Sequence, residues 1–278
     1  MIHVVTVHFM DDRWIGPQLR FLRRNLGDDH RVVACLNGID PGWNNVFDAT
    51  HQIDGSHAEK LNALAQIVTE SGASADDLLL FIDGDAFPIA PIGPELLDTA
   101  PLAAVRRDEN LRDCQPHPCF CITTVGFWNA IGGDWRPGHT WPIEGGGRVT
   151  DVGGNLLGIL EAGNIEWRPL LRSNKVNLDP LFFGIYGDTV YHHGAGFRVP
   201  TSRQRMESTR QDVLWAASDA QIPTWVPVMG RLERSARYRI ADRRHRRQIS
   251  ALAGKARDTA DDIYREIETD DEFFLRFQ

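Results

Sequence analysis

Apolar and polar positions alternate along the N-terminal part of the chain in the way expected of an α/β protein. Residues 2–9 and 31–36 are rich in β-branched and apolar side chains, and leucines at helical spacing lie between them. A strand–helix–strand beginning of this kind predicts a parallel sheet. A further helix is predicted after Ser56, because serine followed three residues later by Glu59 forms a capping box. The pattern therefore predicts a mostly parallel sheet flanked by helices.

An uninterrupted apolar run, residues 78–82, leads directly into Asp83, Gly84 and Asp85. Such a run is typical of a buried parallel strand. In open α/β sheets, ligands bind just beyond the carboxyl ends of the strands. Two carboxylates held there, with a glycine that lets the backbone bend, suit a hard divalent cation that binds phosphate oxygens. A capped strand end with a solvated acidic turn is the alternative interpretation.

Other polar residues near predicted strand and helix ends are candidate ligand contacts. His8 lies near the end of the first strand. Lys60 and Asn62 lie in the first turns of the capped helix, off its apolar face, where they form either a solvated turn or a cation and an amide beside a nucleotide. A late strand ends in His192 and His193, which face opposite ways, so at most one of them faces the site.

The segment 137–147 is rich in glycine, proline and tryptophan, which predicts a loop with aromatic surfaces. Trp135 and Trp141 are therefore candidates for stacking on an acceptor sugar, whereas Trp128 is assigned to the core. Asp151 precedes a short predicted helix, a position that the helix dipole favours for a carboxylate.

Composition narrows the classes of function. The net charge of −8 and the pI near 5.7 argue against bulk binding of nucleic acid. No run approaches the roughly 18 apolar residues of a membrane span. Residues 1–7 have no charged n-region and no cleavage site, which favours a first strand over a signal peptide. The expectation is a cytoplasmic protein.

The four cysteines do not form a disulfide framework in a chain of 278 residues. Cys114, His117, Cys119 and Cys121 offer four zinc ligands within eight residues. Structural zinc usually draws on two separated ligand pairs, and the sequence has no second pair, so free thiols are favoured.

Composition changes near Pro200, which predicts a first domain over 1–200 and a helical C-terminal extension over 201–278. Residues 231–247 are dense in arginine, and an acidic helical face follows them. Two interpretations remain open for 231–268: peripheral contact with an anionic membrane at its inner face, or self-association through helices.

The order of these parts over residues 1–200 resembles the GT-A glycosyltransferases that carry a DxD motif. The resemblance implies a GT-A-like, Rossmann-like sheet. It also implies a hexosyltransferase-type enzyme that moves a sugar from a nucleotide sugar, with UDP the expected nucleotide, to a hydroxyl of a small-molecule, glycan or lipid-linked acceptor.

The resemblance also implies roles for single residues. Asp85 would ligate Mn²⁺ or Mg²⁺, and Asp83 would contact the ribose or the metal and its waters. His193, with His192 as the alternative, would complete the metal shell. The implied nucleotide contacts are His8, Lys60, Asn62, Asp83 and Arg198.

Asp151 matches the acidic residue that acts as general base in inverting members of the family. The chain has Thr-Asp-Val at this point instead of the commoner Glu-Asp pair, so retention of configuration stays open. Asp134 is a second candidate, either as base or as a contact to the donor sugar.

Three other functions compete with this interpretation. A DxD phosphohydrolase of the haloacid-dehalogenase type would carry threonine or valine where this chain has Phe87. A nucleotidyltransferase would show a glycine-rich basic loop after the first strand, and residues 9–13 contain no glycine. A non-catalytic nucleotide-sugar or glycan-binding protein would need no metal and base together.

Overall fold

The computed structural model describes residues 1–108, 113–142, 147–175, 183–193 and 261–278, with single positions at 239, 243, 247 and 258. The chain forms two compact units, Met1–Phe197 with Ile267–Gln278, and Arg198–Glu266. The last residues therefore belong to the first unit, whereas the sequence placed them in an extension over 201–278. In the second unit, all described positions are helical. The arginine-rich run lies largely outside the described residues.

The first unit contains four complete α-helices, twelve strands and three 3₁₀ segments among its described residues, together with the helical residues 267–269. The α-helices are α1 (Ile15–Leu26), α2 (His57–Glu70), α3 (Val125–Ile131) and α4 (Gly154–Ala162). The strands are β1 (Ile2–Phe9), β2 (His30–Asn37), β3 (Ala49–His51), β4 (Leu78–Asp83), β5 (Ala86–Pro88), β6 (Leu102–Val105), β7 (His117–Thr124), β8 (Trp141–Pro142), β9 (Arg148–Val149), β10 (Arg168–Leu170), β11 (Gly184–Tyr186) and β12 (Val190–His192). The 3₁₀ segments are Pro41–Val46, Pro94–Leu97 and Phe273–Phe277.

Seven strands form the main sheet in the order β10-β6-β7-β4-β1-β2-β3. All neighbours pair in parallel except β7, which runs antiparallel to both β4 and β6. The leucines of α1 pack in a hydrophobic cluster on one face, and those of α2 pack in the cluster on the other. The predicted α/β architecture, with a mostly parallel sheet flanked by helices, is confirmed.

The predicted capping box at the start of α2 is also present. The Ser56 hydroxyl accepts a hydrogen bond from the Glu59 backbone N–H, and the Glu59 carboxylate accepts one from the Ser56 backbone N–H at 2.7 Å. These bonds satisfy N–H groups that would otherwise have no helical partner. They fix the first turn of α2, which carries His57.

A smaller antiparallel sheet, in the order β11-β12-β5, adjoins the carboxyl end of β4. His192 on β12 is opposite Ala86 on β5, and the His193 backbone N–H donates to the Asp85 carbonyl at 3.0 Å. The register of this sheet therefore brings the paired histidines next to the acidic turn that follows β4. No helix in the described part of the chain has the length and apolar character needed to cross a membrane.

The C-terminal 3₁₀ segment packs against this smaller sheet. Phe273 lies 6.1 Å from the Phe87 ring and 5.1 Å from the Tyr191 ring, while Phe277 lies 4.6 Å from Phe183. The Lys175 backbone N–H donates to the Phe277 carbonyl at 2.7 Å. The aromatic side chains at the C-terminus thus complete the core behind the strands that carry the histidines.

Candidate metal centre

The turn between β4 and β5 is held by the buried side chain of Gln18 on α1. The Gln18 amide nitrogen donates to the carbonyls of Asp83 and Ala86, at 2.7 and 2.8 Å. Its amide oxygen interacts with the Thr6 hydroxyl at 3.2 Å and with Nε2 of His8 at 3.1 Å. All four groups lie near the carboxyl end of the sheet, so one side chain on α1 fixes the backbone on both sides of the acidic turn.

Gly84 is required by close approach of the neighbouring strand. A Cβ atom at this position would lie 2.7 Å from the Val7 carbonyl and 2.7 Å from Nδ1 of His8. Real Cβ atoms do not come so close to backbone oxygen. The glycine thus lets the turn lie directly against the end of β1, with an aspartate on each side.

Asp83, Asp85 and His192 form a cluster in which one ligand atom from each residue lies within 4.8 Å of the other two. Nε2 of His192 is 3.5 Å from an Asp85 oxygen and 3.9 Å from an Asp83 oxygen. Metal–oxygen and metal–nitrogen bonds of about 2.0–2.2 Å place neighbouring ligand atoms about 3 Å apart. The three side chains therefore fit a divalent cation after small adjustments.

His192 is buried beside the carboxylates, and these surroundings favour a positive charge there, either a proton on the ring or a bound cation in place of that proton. Burial lowers its pKa, but the Cys119 sulfur and the Asp85 carboxylate together more than offset this effect and raise the pKa to about 10. The ring also hydrogen-bonds the buried Cys119 thiol, whose pKa is raised by burial. A ring held by a second partner has a fixed orientation, which is a common feature of metal-ligating histidines.

His193, the first choice from the sequence, is directed elsewhere. Its Nδ1 lies 2.8 Å from the Tyr191 hydroxyl, and its ring packs 4.5 Å from the Trp14 ring. Burial lowers its pKa to about 4. The register of β12 therefore presents the alternative, His192, to the carboxylates, and we replace His193 by His192 in the candidate ligand set.

His57 is a member of the site that the sequence analysis missed. Its Nε2 is 2.8 Å from Oδ1 of Asp83, while the other Asp83 oxygen faces His192. A carboxylate held by such a partner keeps one oxygen oriented for a ligand. The only sequence signal was the capping box, which predicts the start of α2 but not the direction of the side chain at its first position.

His8 and Lys60 lie close to the end of β1, and both are buried. Burial lowers the pKa of His8 to about 4, so the ring is neutral and serves the Gln18 network. The Lys60 ammonium lies 5.0 Å from the centroid of the Phe9 ring. The solvated-turn interpretation does not hold for Lys60, whereas its role toward a nucleotide stays a prediction. Arg198 lies outside the described residues.

Asn62 and Asp134 form a clamp that is separate from the metal cluster. Asp134 accepts hydrogen bonds from the amides of Asn62 and Asn155, at 2.7 and 2.8 Å, and from the Arg136 guanidinium at 2.9–3.0 Å. Although burial opposes it, these donors hold the pKa of Asp134 well below its usual range. A carboxylate whose oxygens are occupied in this way is a poor general base, so the geometry disfavours that role for Asp134.

This clamp borders a cavity of about 720 Å³ between α2, α3 and α4. Asn62, Asp134 and Asn155 line it, whereas Asp83, Asp85 and His192 do not. The cavity is therefore distinct from the metal cluster. Asn62 lines the cavity, and the nucleotide contact that the resemblance implied for it stays a prediction.

The two tryptophans expected to stack on an acceptor are buried. Trp135 is fully buried and packs 5.1 Å from Phe81 and 5.7 Å from Trp128. Trp141 on β8 is also buried. Glycine- and proline-rich surroundings suggested an exposed aromatic surface, but the loop instead turns these rings into the interior. Their expected acceptor role is thereby corrected.

Asp151 lies shortly before α4, as expected, and its Oδ1 accepts a hydrogen bond from the Val152 backbone N–H at 2.9 Å. It is partly exposed.

The pattern of cysteines gives no metal-binding group among the described residues. Cys119 and Cys121 belong to clusters on different faces of the main sheet, which explains why they do not converge.

No family model and no curated protein matches the chain. Among solved structures, two of the glycosyltransferase GlyE from Streptococcus pneumoniae TIGR4, one of them an apo form, are similar over part of the chain. The identities are 14% and 13%, and the TM-scores are 0.33 and 0.35. The matches cover 47% and 60% of this chain and 35% and 44% of those chains, so less than half of each GlyE chain is matched. A likeness at these scores carries no weight in assigning the function.

Proposed function

We propose that this chain is a metal-dependent glycosyltransferase that moves a sugar from a nucleotide sugar, with UDP as the expected nucleotide, to an acceptor hydroxyl. The observation that carries the proposal is the cluster of Asp83, Asp85 and His192 at the carboxyl end of β4. This is the edge at which open α/β sheets bind their ligands.

The donor set of the cluster is consistent with this chemistry. Two carboxylates and an imidazole suit Mn²⁺ as well as Mg²⁺. When bound, such a cation would stabilise the negative charge that develops on a nucleoside diphosphate as the sugar departs. His192 would hold it from the smaller sheet, Asp85 from the turn between β4 and β5, and Asp83 from the end of β4, where His57 fixes the carboxylate.

Asp151 is our candidate for the group that takes the proton from the acceptor hydroxyl. It is partly exposed and precedes α4. The other candidate, the Asp134 carboxylate, is held by the amides of Asn62 and Asn155 and by the Arg136 guanidinium, which makes it a poor base. With Asp151 as base, inversion at the anomeric carbon is expected.

The test is a measurement of nucleotide release and sugar transfer, by mass spectrometry, from a panel of UDP- and GDP-sugars with mixed acceptors and Mn²⁺. We expect turnover with at least one donor, its loss on removal of the metal, and its loss in Asp151→Asn with donor affinity kept. Asp188→Asn is the control: Asp188 is an exposed turn residue at φ 52°, a conformation that asparagine tolerates. Nucleotide-sugar binding without turnover would indicate a binding protein, and phosphate release without sugar transfer would indicate a phosphohydrolase.

A further inference from the structure

Helix α2 carries a polar face that lines the cavity between α2, α3 and α4. Asn62, Gln66 and Thr69 are spaced by four and three residues, so they lie along one side of the helix. The apolar residues of α2 pack instead in the hydrophobic cluster on the sheet. The polar face thus forms one wall of a groove, and α3 and α4 contribute the others. This groove, with a volume of about 720 Å³, has the size of a small-molecule site.

The charged side chains that line the groove are paired with charges of opposite sign. The Asp134 carboxylate lies 2.9 Å from the Arg136 guanidinium, and Nε2 of His139 lies 2.9 Å from a Glu161 oxygen. The other hydrogen-bonding side chains along the α2 wall and opposite it are neutral, namely the amides of Asn62, Gln66, Asn129 and Asn155 and the hydroxyl of Thr69. Paired charges and neutral amides favour an uncharged polar ligand over a phosphate or a nucleic acid.

Several of these neutral groups are held in one orientation before a ligand binds. The Asn62 amide oxygen accepts the Trp135 backbone N–H at 3.0 Å, and its amide nitrogen donates to Asp134 at 2.7 Å. The amide nitrogen and oxygen of Asn129 lie 3.2 and 3.3 Å from the Thr69 hydroxyl. Groups fixed in this way lose little conformational entropy on binding. Amides pair well with hydroxyl groups, which both donate and accept hydrogen bonds, and a carbohydrate presents a row of them.

The groove begins close to the candidate metal centre. His57, which contacts Asp83, and Asn62 both lie on α2, five residues apart. At about 1.5 Å per residue, this separation is about 7–8 Å along the helix axis. On the opposite wall, Asp151 lies just before α4, and the second residue of α4, Asn155, lines the groove. One end of the groove therefore lies near both the candidate metal centre and the candidate base.

We propose that the groove binds an uncharged saccharide and holds a glycan acceptor for sugar transfer. The amides of Asn62, Gln66 and Asn129 take hydroxyl groups of the sugar rings. Binding of the saccharide requires no metal, because the metal cluster lies outside the groove. The inference deepens the proposed function, and its acceptor part rests on that function. It narrows the acceptor from any hydroxyl compound to a neutral glycan.

The first experiment measures binding on a microarray of neutral, sialylated and sulfated glycans, with EDTA present and without nucleotide. We expect binding to at least one neutral glycan and weaker binding to its acidic derivatives. Calorimetry with the best neutral glycan would then compare wild type, Gln66→Leu, Ala162→Trp and a control, Gln52→Leu. Gln52 is the matched control because it is an exposed glutamine outside the groove.

Gln66→Leu should weaken the glycan by about two- to tenfold, the range expected for one lost neutral hydrogen bond. Ala162→Trp places an indole in the groove and should weaken it by about tenfold or more. Gln52→Leu should stay within about twofold of wild type. Gln66 and Ala162 are both exposed, so the fold should persist, and thermal melts would verify this.

A second experiment addresses the acceptor role, with Mn²⁺ and a donor present. Both groove variants should raise KM for the glycan while kcat and the affinity for UDP are kept, because the groove contributes to binding of the acceptor alone. A fall in kcat with unchanged KM would overturn the acceptor role.

The inference is overturned if no neutral glycan binds, if acidic glycans bind as tightly as neutral ones, or if Gln66→Leu and Ala162→Trp bind as wild type does. In each of these cases metal-dependent binding of UDP would persist, and the proposed function would stand. If the groove variants lose glycan binding but wild type transfers no sugar with any donor, the proposed function and the acceptor role fail, and the saccharide site stands.

Discussion

Replacing Gln18 by leucine tests how the acidic turn is held in place. Leucine has a similar size and a good helix propensity, so α1 should persist. The change removes the donor to the carbonyls of Asp83 and Ala86 and the amide oxygen that faces Thr6 and His8. Each buried group left unpaired costs about 1–3 kcal/mol, so the lower limit for four groups gives a loss of about 4 kcal/mol in the free energy of unfolding.

Urea denaturation at neutral pH would measure this loss. Gln66→Leu is the matched control, because Gln66 is exposed on α2 and its amide donates to Glu70 at 2.7 Å. Its cost should stay within about 0.5 kcal/mol. We also expect Gln18→Leu to weaken Mn²⁺ binding, since the turn that carries both aspartates loses its support. A cost below about 1 kcal/mol for Gln18→Leu would show that the turn does not depend on this side chain.

Three further predictions address the site and its surroundings. His57→Phe removes the partner of Asp83 and should lower Mn²⁺ affinity about tenfold or more by electron paramagnetic resonance; unchanged affinity would exclude a positioning role. Trp135→Ala should cost about 3–5 kcal/mol in unfolding free energy, as for a core aromatic, whereas a cost near zero would favour the exposed interpretation. Asp134→Asn should destabilise the fold at pH 7. The pKa of Asp134 is lower in the folded state than in the unfolded state, so the stabilisation by its carboxylate is full above about pH 4 and is lost as the pH falls further. In urea denaturation, the difference in unfolding free energy between wild type and variant should therefore shrink below about pH 4. A difference that does not change with pH would contradict this prediction.

Local signals in the sequence were sufficient for the elements that carry the site. The apolar run before Asp83 predicted β4 because a strand buried on both faces needs apolar side chains throughout. The capping box predicted α2 because both of its partners lie within one turn. The alternation along a strand also predicted that His192 and His193 would separate, with only one of them at the site.

The remaining features depend on contacts that are distant in the sequence. Gln18 reaches a carbonyl 65 residues away, and on α1 alone it is an ordinary polar residue. Which histidine faces the carboxylates depends on the register between β12 and β5. Trp135 follows two glycines, which suggests exposure, but Phe81 and Trp128 enclose it in the core. Such pairings are set by tertiary packing, so the sequence pattern around each residue does not contain them.

The most direct test of the central claim is a Mn²⁺ titration followed by electron paramagnetic resonance, on wild type, Asp85→Asn, His192→Phe and the control Asp188→Asn. We expect one bound Mn²⁺ in wild type and in the control, and its loss in Asp85→Asn and His192→Phe, because both residues contribute to the cluster at the end of β4. Metal binding that survives both site variants unchanged, or wild type that binds no Mn²⁺, would contradict it.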